Sequence, residues 1–316
     1  MIYPVRKKNL LFRRTAFKAP AELSNRVYLN NKLVSESKAK VSVFDHGFLY
    51  GDGIYETLRA YNRVVFKIDE HIERLFRSAS MISLKIAQSA DEIKRAVYKT
   101  IRANRQDNAY IRISISRGTG PIGLDPELCP KPTFVIISRP FKVYPKEYYE
   151  KGVKIAIVNV RRNFKGALNP QIKSLNFLNN ILAKIESKNK GAYEAIMLNY
   201  RGHIAEGTIT NIFFVKNDVL CTPSLDVGLL DGITRRIILD LAKGLKIKTK
   251  EGKFTRRYPY NAQEVFISNT TMEVMPVTEI DNIKIGTKVG KITRMLSLAY
   301  KKKVSEYLKN KKTRQI

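Results

Sequence analysis

Apolar and polar positions along this chain repeat with two periods, and the points where the period changes mark its elements. Near the start, "RVYLNNKLV" reads as two short strands around an Asn-Asn turn. "KVSVFDHGFLYGDGIYETLRAYNRVVFK" then carries on the alternation between glycines, again as sheet. In "DEHIERLFRSASMISL" the period becomes helical, with Ile72, Leu75, Phe76, Ala79 and Ile82 on one stripe, and "DEIKRAVYKTIRAN" repeats the pattern with Ile93, Val97 and Ile101. A strand follows, "AYIRISISRG", in which Ile111, Ile113 and Ile115 point one way and Tyr110, Arg112, Ser114 and Ser116 the other. One face is core. Spacing alone favours a solvated sheet face over a binding face for the other.

Periodicity lapses in "RPFKVYPKEYYEKG", residues 139 to 152, which makes this stretch the linker candidate. Beyond it come a strand, "VKIAIVNV", and the Lys173 helix in "NPQIKSLNFLNNILAKIE". A strand cluster follows in "AYEAIMLNYRGHIAEGTITNIFFVKNDVLCTP", then a helix after "LLDG", a strand "EVFISN", a hairpin and a terminal helix. Strands and helices mix without strict βαβ alternation, and no repeat period is visible, so the expected class is α+β. The expected layout is a basic arm over 1–26, a small α/β domain over 27–138, a linker over 139–149 and a large domain over 150–316.

Composition narrows the function classes. With 316 residues and 44% hydrophobic content, the chain has material for about two packed domains. Its 58 Lys and Arg against 28 Asp and Glu give a net charge of +30, which invites a nucleic-acid reading through phosphate neutralisation. The cations are nonetheless spread along the whole chain, without zinc-finger spacing or an RNA-recognition signature, so a solvated surface that attracts anionic small molecules is favoured over a specific nucleic-acid site. No apolar run reaches the roughly 18 residues of a membrane span, and the start lacks a secretory h-region, so a protein with no membrane partner is expected. Cys129 and Cys221 lie in dissimilar contexts, which suggests neither a disulfide framework nor a metal cluster and fits a cytoplasmic setting. The tail "KKKVSEYLKNKKTRQI" reads as the frayed, charged end of a helix.

Chemistry-bearing motifs are few. Walker, Rossmann, His-Glu-x-x-His and G-x-S-x-G signatures are all absent, and His46, His71 and His203 read as surface or packing residues. In "LLDGITRR", Gly232 opens an amphipathic helix, so the Ile233 and Thr234 amides could face an anion at its positive end; an ordinary helix entry explains the glycine as well. Thr270 and Thr271 in "FISNTTMEVMP" either present hydroxyls and amides to an anion or form a turn. Glu206, in "HIAEGTITNIFF", stands between a hairpin and an apolar strand, where a carboxylate needs a partner: an arginine or a protonated ring nitrogen.

Taken together, "FLYGDGIYETLRAYN", "FKIDEHIERLFRSA", "AYIRISISRGTGPIGLDP", "IKSLNFLNNILAKIE", "YEAIMLNYRGHIAEGTITNIFFV", "GLLDGITRRIILDLA" and "FISNTTMEVMPVTEID" resemble, in order, the class IV pyridoxal-phosphate aminotransferases. The resemblance implies the two-domain α+β architecture of fold type IV enzymes, with pyridoxal 5'-phosphate between the domains and a homodimer or higher homo-oligomer. Lys173 is similar to the lysine that holds the cofactor aldehyde as a Schiff base and shuttles the substrate proton, and Glu206 to the residue that keeps the pyridine nitrogen protonated. Arg74, the Ile233 and Thr234 amides, and Thr270 match the phosphate-binding set. Tyr50, Tyr55, Tyr110, Arg112 and Thr271 match substrate-binding positions.

Two departures bear on the substrate. Phe177 stands where a tyrosine usually bonds the cofactor's phenolic oxygen. Thr57 stands where branched-chain enzymes commonly have glycine. The expected activity is ping-pong transamination between leucine, isoleucine or valine and 2-oxoglutarate. D-amino acid transamination and aminodeoxychorismate lysis remain alternatives on the same fold.

Overall fold

Short polar turns set the edges of the sheets. In the computed structural model, which describes residues 25–286 and 288–313, four two-residue turns have both residues at positive φ: Asn30-Asn31, Asn62-Arg63, Asn217-Asp218 and Asp281-Asn282. Such turns match the twist of the strands they join, and Asn and Asp tolerate the left-handed region better than other side chains. The expected Asn-Asn hairpin is therefore present, joining β1 (Arg26–Leu29) to β2 (Lys32–Ser35). Residues 1–24 of the basic arm lie outside the described residues.

The first sheet continues after α1 (His46–Tyr50) with β3 (Gly53–Tyr61), β4 (Val64–Val65), β5 (Ala109–Ser116) and β6 (Thr133–Pro140). Its strand order is β2-β1-β6-β5-β3-β4, with every neighbouring pair antiparallel. Both predicted helices form, as α2 (Ile68–Met81) and α3 (Ala90–Ala103), and α3 is closed at its start by a Ser89/Glu92 capping box. Their apolar stripes bury Ile72, Leu75, Ile93, Val97 and Ile101 against Ile111, Ile113 and Ile115 of β5. Full burial of each such side chain is worth about 1.5–3 kcal/mol. One expectation fails here: residues 41–52 do not form a strand. Asp45 accepts a bond from the Gly47 amide and Gly51 closes the turn at φ 71°, so a short helix interrupts the alternation before β3 begins.

The chain crosses to the second sheet through α4 (Lys146–Lys151). There follow β7 (Val153–Arg161), α5 (Leu178–Asn189), β8 (Glu194–Leu198), β9 (Ile204–Gly207), β10 (Asn211–Lys216), β11 (Val219–Pro223), α6 (Ile233–Gly244), β12 (Thr249–Gly252), β13 (Glu264–Asn269), β14 (Glu273–Ile280), β15 (Ile283–Lys284) and α7 (Lys291–Thr313). The order is β12-β11-β10-β13-β14-β7-β8-β9, with β15 on β14; β11–β12, β14–β7 and β7–β8 are parallel and the rest antiparallel. Helices α6 and α7 cover Phe213 and Phe266 on one face. No helix among the described residues is long and apolar enough to cross a membrane.

One further expectation is corrected around Lys173. The helix does not include it: α5 starts at Leu178, and residues 173–175 run extended along β3, where the Tyr55 amide donates to the Lys173 carbonyl and the Leu175 amide to the Gly53 carbonyl, both at 2.9 Å. The apolar stripe of α5 also faces outward, with Leu178, Ile181, Leu182 and Ile185 exposed. Ala183, Ser187 and Asn180 face inward, because only small or hydrogen-bonded side chains fit the close approach of α5 to β7 and β8.

Gly53 is what lets residues 173–175 reach β3. A Cβ there would stand 2.6 Å from both the Ile115 carbonyl oxygen and Leu175 Cδ1. Since one of these is backbone, Gly53→Ala is expected to destabilise the fold by about 1–3 kcal/mol, read as a lowered urea midpoint; an unchanged midpoint would contradict this packing.

Candidate active site

Both backbone groups of Lys173 are held by the first sheet and its helices. Its amide donates to Ser78 Oγ of α2 at 3.2 Å, and its carbonyl accepts from Tyr55 of β3. The ammonium then projects into the seam between the two sheets, 3.4 Å from the Tyr55 phenol oxygen and 4.4 Å from that ring's centroid. Arg112 lies 4.0 Å from the same centroid, so the Tyr55 ring has two cationic neighbours. Phe177 meets Tyr55 edge-on.

Two adjoining clefts open on Lys173. One is lined by Glu206, Asn211, Arg162 and Leu230, the other by Arg74, Thr57, Tyr110, Arg112, Thr270 and Thr271. The polar face of β5, expected to be solvated, thus covers a cleft instead. Alternation could not reveal this, because what lies over that face is a loop from the second sheet.

Glu206, on β9, is buried and fixed at both oxygens. Arg162 Nε donates to Oε1 at 2.6 Å and the Leu230 amide to Oε2 at 3.0 Å. Of the two partners expected for this acid, the described chain supplies the arginine. Arg162 was not singled out from sequence, since "VRRN" carries no motif and its pairing spans 44 residues.

Arg74, on α2, is also buried. Its Nε and Nη2 fork onto Glu56 of β3 at 2.7 and 2.9 Å, and its Nη1 donates to the Asp231 carbonyl at 3.0 Å. His71 Nδ1 lies 2.8 Å from the same Glu56 carboxylate. Burial pushes the Glu56 carboxyl up, but Arg74 and His71 together outweigh it, and the carboxyl is held well below its usual range. Burial pulls His71 down, so the ring is neutral at neutral pH and serves Glu56 as an N–H donor. The packing reading of His71 is right as far as it goes, but it misses this bond.

Asp231 directly precedes Gly232, the N-cap of α6, whose first turn has no side-chain cap. A Cβ at Gly232 would collide with Asn211 Oδ1. The buried Arg74 guanidinium and the open end of α6 therefore meet at one point, with two guanidinium protons still uncommitted. Ile233 and Thr234 are buried there, and the half-buried Thr270 borders the cleft.

Thr271 does make the anticipated turn. Its amide and hydroxyl both donate to Asn269 Oδ1, and its hydroxyl is 3.0 Å from the Tyr144 phenol. Tyr50 is not brought to Lys173 within this chain; its phenol accepts from the Gly123 amide and its ring packs on His46. Chemically, the arrangement offers an amine between a cationic, amide-rich end and a fixed carboxylate. That suits a planar ring with an anionic substituent on one side and a basic nitrogen on the other.

The family model described as amino-transferase class IV matches residues 53–280. The chain is 46% identical over 277 residues to a putative branched-chain-amino-acid aminotransferase of Methanocaldococcus jannaschii, covering 87% of this chain and 95% of that one. It is 35% identical to an aminodeoxychorismate lyase of Bacillus subtilis, with 90% and 97% covered, and 38% identical to a D-alanine aminotransferase of Staphylococcus epidermidis, with 89% and 99% covered. A branched-chain amino acid aminotransferase structure from Escherichia coli matches with a TM-score of 0.86 at 33% identity, covering 89% of this chain and 95% of that one. Another branched-chain enzyme, from T.th. and complexed with N-(5'-phosphopyridoxyl)-L-glutamate, matches with a TM-score of 0.85 at 29% identity, with 90% and 95% covered.

Beside the site, Glu194 of β8 holds the Thr208 and Thr210 hydroxyls and is fully buried; burial pushes its carboxyl up, only partly offset by those bonds. A raised folded pKa contributes stability that is complete below the unfolded value of about 4.3 and is lost as pH rises through the folded value. Glu194→Gln is accordingly expected to raise stability at pH 8 and to matter little at pH 4. Urea titrations at both pH values test this; a variant less stable at pH 8 would contradict it.

Proposed function

The chain belongs to the class IV aminotransferases, a pyridoxal-phosphate-dependent family, and within it we propose transamination between a branched-chain L-amino acid, leucine, isoleucine or valine, and 2-oxoglutarate. The observation that carries the substrate reading is the 46% identity to the M. jannaschii protein; the Tyr110–Arg112 face of β5 in the Lys173 cleft supports it. The residues present fit the cofactor, because a buried arginine beside an uncapped helix end matches a phosphate and a fixed carboxylate matches a protonated ring nitrogen.

In this reading Arg74, Thr270 and the Ile233 and Thr234 amides hold the phosphate through charge-assisted bonds. Glu206, held in place by Arg162 and the Leu230 amide, would hold a proton at the ring nitrogen. Bound pyridoxal phosphate supplies the electron sink for the charge left on the substrate's α-carbon. Lys173 carries the cofactor and then moves the proton to and from that carbon, from a position its pinned backbone allows. Tyr110, Arg112 and Thr271 bind the substrate carboxylate, with Tyr55 packed against Lys173 at the reacting end.

We further assign two domains, 27–138 and 150–316, joined by 139–149, and a homodimer. Apolar side chains at Phe44, Phe48, Ile122 and Leu124, and on the outer face of α5, are exposed, and a second copy covering them would remove them from water. Tyr50, held in the first patch, would then join the site from the neighbouring copy.

A second reading, D-amino acid transamination, draws on Phe177 and Thr57 and on the 38% identity to the S. epidermidis protein. L-Leucine is expected to bleach the yellow cofactor-loaded protein; bleaching by D-alanine alone selects the second reading, and pyruvate release without an acceptor selects a lyase. Lys173→Ala should abolish turnover while leaving the fold intact, and retained turnover would remove Lys173 from its role. Arg74→Ala should weaken cofactor binding by about ten-fold or more, read by fluorescence titration; unchanged affinity removes Arg74 from the phosphate site. Phe48→Glu should shift the sedimenting species toward a 36.2 kDa monomer, whereas a wild-type protein already monomeric at micromolar concentration would refute the dimer.

A further inference from the structure

The turn that carries Thr270 and Thr271 contains an unusual residue choice. Asn269 of β13 pairs with Glu273 of β14, leaving the three-residue loop 270–272 between them. A residue that closes a short hairpin loop often lies in the left-handed region, where glycine is favoured because it has no Cβ to clash. Here that position is Glu273, at φ 61°. A non-glycine residue in this conformation is strained, and Glu gains nothing locally, since its side chain is too long for the self-bonding that helps Asn.

Its carboxylate is instead tied to the other sheet. Glu273 Oε1 accepts from Arg59 Nη1 at 2.9 Å and from the Tyr61 phenol at 2.8 Å, both on β3. Arg59 Nη1 also donates to the Thr271 carbonyl at 2.8 Å. The guanidinium is held in turn between the rings of Tyr61 and Phe141, at 4.2 and 3.8 Å from their centroids. Burial and the neighbouring carboxylate push the Tyr61 phenol far above its usual range, so it stays a donor at any working pH. Asn269 clamps the turn from inside, accepting from the Thr271 and Met272 amides.

We propose that Arg59, Tyr61 and Glu273 form a positioning lock: Glu273 occupies a glycine position so that its carboxylate can fasten the Thr270–Thr271 turn to β3, fixing the turn against the cleft. This rests on the assignment of Thr271 to the substrate carboxylate. None of the three touches substrate in this scheme; they act through the turn, across the boundary between the sheets. With the lock removed the turn relaxes, and substrate binding weakens more than the chemical step does.

Glu273→Gly separates this from a merely structural role, because glycine suits the backbone and the loss is confined to the carboxylate that anchors the turn and pairs with Arg59. With cofactor-loaded protein and L-leucine, or D-alanine should the second substrate reading hold, KM is expected to rise about five-fold or more while kcat stays within about two-fold. An unchanged KM, or a fall in kcat alone, would overturn the proposal. Should Glu273→Gly fail to fold, Tyr61→Phe removes one donor from the same carboxylate and is expected to raise KM by about two-fold or more; an unchanged KM there overturns the proposal equally. Thr271→Val distinguishes the two levels: if it leaves KM unaltered, the substrate assignment of the turn fails and the lock with it. If it raises KM and Glu273→Gly does not, only the lock fails.

Discussion

The site depends on a buried cation at the boundary between two sheets. Arg74 donates to a β3 carboxylate on one side and to the carbonyl that precedes α6 on the other. Isolated, such a charge would be untenable in a low-dielectric interior, and removing one partner of a buried pair typically costs about 3–5 kcal/mol. Glu56 and His71 make it tenable. Because the same guanidinium bonds elements of both sheets, the pairing that neutralises it also fixes how the sheets meet.

Lys173 follows the same logic without charge. Its segment belongs to the second sheet's half of the chain, yet its amide and carbonyl are bonded to α2 and β3. The reactive amine thus sits on extended backbone held at both sides, with fewer rotatable bonds between it and rigid structure than a free loop would give. The Thr271 turn is tied across in the opposite direction, from β14 to β3. Three polar ties therefore converge on β3, whose residues alternate between facing the helices of the first core and facing the cleft.

Much of this architecture was legible in the sequence. Isoleucines at every second position of β5, the helical stripes of α2 and α3, and the Asn-Asn turn are local patterns, and each formed as read. Family resemblance pointed to Lys173, Glu206 and Arg74 as a candidate set. What was not legible shares one cause, that periodicity cannot report what lies opposite a face. Residues 41–52 alternate but yield to a cap at Asp45. The apolar face of α5 points outward because its small residues are needed inside. Arg162, Glu56 and Glu273 escaped notice because their partners stand 44, 18 and more than 200 residues away.

These long-range pairs also explain how a chain of net charge +30 can assemble a site for an anionic cofactor without simply repelling itself. Three arginines in and around the site, Arg74 buried and the other two partly so, are each matched by a carboxylate: Arg74 by Glu56, Arg162 by Glu206, Arg59 by Glu273. In the proposed reading, attraction for a phosphate or a carboxylate substrate would come from Lys173, Arg112, the two remaining donors of Arg74 and the open end of α6, over a framework already neutralised. The surplus of surface lysines is separate from this local balance; it bears on solubility and on how anions approach, while the paired charges determine where they come to rest.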